Sequence, residues 1–129
     1  MNIIQEIFTT RGRLNRKRFL IYYVAVTIMG ATATFVTSCM ATLLTGDPNG
    51  ALVTMVTVVW AVTATVGARM LMVRRLHDLD KNGTLFLVSF IPVVGLIFMA
   101  YLFFAEGTVG RNRFGADPLT DDNRRNSLA

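Results

Sequence analysis

Arg74-Arg75-Leu76-His77-Asp78-Leu79-Asp80-Lys81-Asn82-Gly83 is the longest strongly polar run that lies between two long apolar runs of this chain. Upstream of it, Pro48 to Ala68 carries no charged residue; downstream, Asn82 to Ala105 carries none. A third uncharged run, Phe19 to Gly46, precedes both. A helix crosses about 30 Å of hydrocarbon in about 20 residues, so each run is long enough to do so. In 129 residues, room for one domain at most, apolar residues make up 53% and the mean hydropathy is +0.49. Packing the three runs as core helices of a soluble domain would leave too little polar surface to cover them. The expected fold class is therefore all-α, an integral membrane helical protein with three apolar segments at about 19–44, 51–68 and 84–105. Residues 1–118 form one membrane domain, and 119–129 are expected to be a polar, disordered tail.

The net charge of +5 does not indicate nucleic acid as a partner. The basic residues flank the apolar runs, as the positive-inside rule expects, and at such positions they reach anionic lipid headgroups. Arg11, Arg13, Arg16, Lys17 and Arg18 put the N-terminus in the cytoplasm; Arg69, Arg74, Arg75 and Lys81 put the central stretch on the same side. Gly46-Asp47-Pro48-Asn49-Gly50 has turn residues and no Lys or Arg, which places it across the membrane. The first two spans thus form a helical hairpin.

Smaller signals fill in the chain. Ile3, Ile4, Ile7 and Phe8 have helical spacing, which predicts a short amphipathic helix on the membrane surface or a frayed end. Tyr22 and Tyr23 suit the aromatic belt, and mid-span Trp60 suits packing. Gly30, Thr34 and Ser38 recur every fourth residue, as do Thr57, Ala61 and Thr65; such stripes let helices approach closely. Val36-Thr37-Ser38-Cys39 matches a lipoprotein cleavage box, but the apolar run continues through Leu44 where a lipoprotein turns polar, so Cys39 is read as an unmodified span residue. As the single cysteine it forms no internal disulfide.

The third segment has two readings. Pro92 either kinks a full crossing or, with Val93, Val94 and Gly95, turns a hairpin whose arms are half a membrane deep. A full crossing leaves nine basic residues inside and four outside; the hairpin puts all thirteen inside. The charge rule favours the hairpin. Span length and continuity favour the crossing, which is the expectation here.

Three motifs stand out together: Gly12-Arg13-Leu14-Asn15-Arg16-Lys17-Arg18-Phe19, then Arg74-Arg75-Leu76-His77-Asp78, then Gly107-Thr108-Val109-Gly110-Arg111-Asn112-Arg113-Phe114-Gly115-Ala116-Asp117-Pro118. In order and spacing they resemble the DUF805 family of small bacterial inner-membrane proteins, over nearly the whole chain from about Phe8 to Pro118. Ile91, Pro92 and Gly95 also match that family's pattern. After the centre the chain departs from it: Asp80, Asn82 and Thr84 stand where members commonly have Gly, Ser and Trp. The resemblance implies location and fold; the family has no established activity.

Catalysis needs a constellation of nucleophile, base and orienting group, or several metal ligands. His77 and Cys39 are each the only one of their kind, on different segments, which excludes a soft-ligand metal site, and no cofactor is expected. Arg74 and Arg75 are expected to hold phosphates or to cap carbonyls at the end of the second span, with His77 and Asp78 hydrogen-bonding nearby segments. Arg13, Arg16, Arg74, Arg75, His77 and Asp78 form a candidate polar cluster or lipid and partner contact. The tail motif of Asn112, Arg113, Phe114, Gly115, Asp117 and Pro118 joins it if the tail lies on the same side. The spans hold no ionisable residue of the kind that marks ion pathways. The expected role is non-enzymatic: a membrane scaffold or accessory subunit whose basic cytoplasmic face binds anionic lipid, another membrane protein or a second copy. The alternative is a small oligomeric channel or transporter component; an enzyme using His77 and Asp78 ranks third.

Overall fold

A computed structural model describes residues 3–120. Its elements are α1 (Ile3–Ile7), α2 (Arg16–Thr45), α3 (Ala51–Asp78), a 3₁₀ segment (Gly83–Phe90) and α4 (Val94–Phe104). Asn15 starts α2, its side-chain oxygen accepting from the amide of Arg18 at 2.8 Å, as N-cap residues do. Gly46 ends α2 with its amide on the carbonyl of Thr42 at 2.8 Å, and Asp47 Oδ1 accepts from the Asn49 amide at 2.9 Å to close the turn. α2 and α3 then run antiparallel as the expected hairpin. The stretch of the expected tail from residue 121 onward lies outside the described residues.

The small-residue stripes lie where the two helices meet. A Cβ on Gly30 would stand 2.8 Å from the Cβ of Ala64, so only glycine permits that approach. Nearer the turn, the Ser38 and Thr57 hydroxyls are 3.1 Å apart, while Thr34 and Thr57 also bond back to Gly30 and Val53 carbonyls. Away from this seam the helices present bare aliphatic surface: Leu43 is 82% exposed and Phe35 70%. Patches of this extent are not left to water in soluble domains. At about 1.5 Å per residue, the 30 and 28 residues of these helices give lengths of about 45 and 42 Å, enough for a bilayer with its headgroups.

The buried core sits at one end only. Leu14, Phe19, Leu71, Met72, Leu76, Leu79 and Leu102 form it, around the start of α2 and the end of α3. Tyr22 and Tyr23 pack against this core instead of standing free as interface anchors, Tyr23 with its ring 5.6 Å from those of Phe19 and Phe103. Trp60 is half-buried. The first helix forms, but Ile7 and Phe8 turn onto α3 near Gly67 while Ile4 stays exposed.

The central stretch is less of a loop than its polarity suggests: α3 continues through Asp78. The third segment departs further from expectation, because it folds back on itself. It leaves beside Val73 and His77, against which Gly83 packs, and returns so that Arg75 holds the carbonyls of Leu102 and Ala105. The reversal is a γ-turn at Pro92-Val93-Val94, with the Val94 amide on the Pro92 carbonyl at 2.7 Å and Val93 at φ 64°. Pro92 has no amide to continue a helix. With eight residues of 3₁₀ and eleven of α-helix, each arm is about 16 Å long, half the hydrocarbon depth. Arg69 pins the outgoing arm, donating to Ser89 Oγ at 2.6 Å with its guanidinium 4.5 Å from the Phe90 ring centroid.

Candidate functional site

Because α3 stays helical through the motif, Arg75 and Asp78 fall three residues apart on one face. Asp78 is the hub. Its Oδ1 accepts from Arg13 Nε at 3.0 Å and its Oδ2 from Arg75 Nη1 at 2.5 Å. The Arg13 and Asp78 side chains are 1% and 3% exposed. Burying such charges is costly unless they are paired and hydrogen-bonded, and here the remaining donors also find partners. Arg13 reaches the Gly110 carbonyl at 2.5 Å and the Thr108 carbonyl. Arg75 reaches Leu102 at 2.9 Å and Ala105. Those two carbonyls stand at the open C-terminal end of α4. Arg75 thus caps the third segment, not the end of its own helix as expected.

The tail motif joins the cluster, as the fold-back requires. The Asp78 carbonyl accepts from the Thr108 amide at 2.8 Å and the Thr108 hydroxyl at 3.0 Å. Asn112 Nδ2 donates to the His77 carbonyl at 2.8 Å and to Thr108 Oγ1 at 2.9 Å. Asn112 and Gly115 exchange backbone hydrogen bonds, closing a tight turn. That turn lays Phe114 on His77 with ring centroids 3.9 Å apart and planes 7° apart. The Arg113 guanidinium lies 4.8 Å from the Phe114 ring and pairs with Asp80 at 3.2 Å. Asp117 accepts from the Gly110 amide at 2.9 Å, which holds its carboxyl below the usual carboxylate range; Pro118 beside it is half-buried.

One expected member stands apart: Arg16 is 59% exposed and pairs with Glu106 at 3.9 Å. Arg74 is buried, and its backbone carbonyl accepts from the Leu14 amide at 3.2 Å. Two residues that the sequence reading did not single out are central. A Cβ on Gly107 would fall 2.2 Å from Asp78 Oδ2, so no other residue fits there, and Thr108 bonds Asp78 twice. Their only advance signal was membership of the tail motif. His77 and Asp78, adjacent in sequence, have separate partners and form no acid–base pair. The arrangement joins four segments of chain through one carboxylate and two guanidinium groups.

Known proteins are similar to this chain in sequence. Inner membrane protein YhaI of Escherichia coli (strain K12) is 43% identical over 53 residues, 41% of this chain and 45% of that protein. The chain thus matches less than half the length of that curated relative. Inner membrane protein YhaH of the same strain is 26% identical over 118 residues, 92% of this chain and 93% of that protein. No solved structure matches. A family model described as a protein of unknown function, DUF805, matches residues 7–116. With two helices long and apolar enough to cross a membrane and relatives named as inner membrane proteins, the chain is a membrane protein and belongs to the DUF805 family.

Proposed function

We propose that this protein is a non-enzymatic scaffold or accessory subunit of the bacterial inner membrane. Two crossings and a fold-back segment carry a rigid basic face at the cytoplasmic side, and that face engages anionic headgroups. The carrying observation is the distribution of charge. Arg11, Arg16, Lys17, Lys81 and Arg111 are exposed around the polar cluster, whereas the opposite turn carries Asp47 and no cation. Each basic residue near an anionic leaflet contributes about 1 kcal/mol. The cluster supports a structural role over catalysis, since the groups with chemical potential are spent on one another and on backbone carbonyls. The bare flanks of α2 and α3 suit lipid, a second copy or another membrane protein.

Thermal unfolding in nanodiscs tests this reading. Raising the phosphatidylglycerol fraction should raise the midpoint by several degrees, and salt should reverse the gain because screening acts on exposed charges. A midpoint indifferent to both would contradict it.

A further inference from the structure

Beside the cluster, between the start of α2 and the segment that follows α4, lies a cleft of about 390 Å³, within the ~300–1,000 Å³ range of small-molecule sites. Both signs of charge line it: Arg13, Arg16 and Lys17 against Asp78, Glu106 and Asp117. Three of these are committed elsewhere. Arg13 and Asp78 hold each other, and Asp117 accepts the amides of Gly110 and Leu119. The charges left for a ligand are Arg16 and Lys17 on one side and Glu106 on the other. Arg16 and Glu106 are 3.9 Å apart and 59% and 86% exposed, a loose pair that is easily opened.

We infer that this cleft binds a zwitterionic phosphoethanolamine group, its phosphate on Arg16 and Lys17 and its ammonium on Glu106. A purely anionic headgroup would have to part Arg16 from Glu106 and leave that carboxylate facing a phosphate. A group with its own ammonium satisfies both. The exposed apolar residues beside the cleft suit a lipid. Arg16 begins a helix of bilayer length, exposed Leu20 lies one turn further in, and exposed Phe104 is two residues before Glu106. A quaternary ammonium cannot donate a hydrogen bond to Glu106, so phosphatidylcholine should bind less well.

Native mass spectrometry of the purified protein tests this with phosphatidylethanolamine, phosphatidylcholine, phosphatidylglycerol and soluble glycerophosphoethanolamine. The wild type should prefer the ethanolamine lipid by about tenfold, the worth of one charge-assisted hydrogen bond. Glu106→Gln should abolish that preference, and Arg16→Gln with Lys17→Gln should remove binding. Detergent melting of these surface variants confirms that they fold. No Glu106-dependent binding of either ethanolamine compound in the wild type, or a preference that survives Glu106→Gln, overturns the inference. The lipid source rests on the headgroup-level placement proposed above. If that placement alone is wrong, the soluble compound still binds in a Glu106-dependent way and the lipid does not; if the site is wrong, neither depends on Glu106.

Discussion

Asp78 is where the buried charges of this structure meet. Its one carboxylate pairs with two buried guanidinium groups, and its carbonyl anchors Thr108. A buried ion pair adds little net stability against an apolar replacement, but removing one partner strands the other. Asp78→Ala strands two, so it should lower stability in detergent by at least about 3–5 kcal/mol. Arg16→Gln, at an exposed pair, should change stability by less than about 0.5 kcal/mol. Chemical denaturation of both variants in the same micelle checks the contrast; equal effects would mean that Asp78 is not the hub. The sequence showed that these residues belong together, because Arg13, Arg75 and Asp78 flank apolar runs on one side. It did not show which charges would be buried. Arg13 and Arg16 look alike in a motif, yet three residues of spacing separate a 1% exposed side chain from a 59% exposed one.

At the scale of elements, the hairpin of α2 and α3 was legible: uncharged length gives the spans, Gly46 to Gly50 the turn, and the Gly30 and Thr57 stripes the seam. The third segment was not. Hydropathy reports that a segment is apolar, not how deep it goes, and Pro92 with Gly95 suits a kink as well as a turn. What decides the matter is long-range. Arg75 takes carbonyls 27 and 30 residues away, and only a returning chain can bring them there. The turn carries a cost in backbone strain, since Val93 is β-branched at φ 64°. Such conformations cost about 1–3 kcal/mol, and Val93 is exposed, so it gains little from burial. Allowing for the greater unfolded-state freedom of glycine, Val93→Gly should stabilise the protein by about 1 kcal/mol in equilibrium unfolding. A loss of stability would instead indicate a residue at negative φ in a continuous, kinked helix.

For the molecule as a whole, the packed core and the polar cluster occupy one end, and the rest is a pair of helices bare to their surroundings. The family match over residues 7–116 covers both parts. In the placement proposed above, this division puts rigidity at the membrane surface, with the basic residues, and leaves the membrane interior to lipid or to partner helices. It depends on one topological fact: the chain returns after the third segment. Cysteine accessibility measures that directly. In a Cys39→Ser background, single cysteines at Val109 after α4, at Lys81 after α3 and at Asn49 in the far turn would be treated with a membrane-impermeant thiol reagent in intact cells. The account predicts that Asn49→Cys is labelled, while Val109→Cys and Lys81→Cys are protected until the cells are opened. Labelling of Val109→Cys alongside Asn49→Cys would mean a full third crossing. It would separate Thr108 from Asp78 by the membrane and contradict the composite cluster.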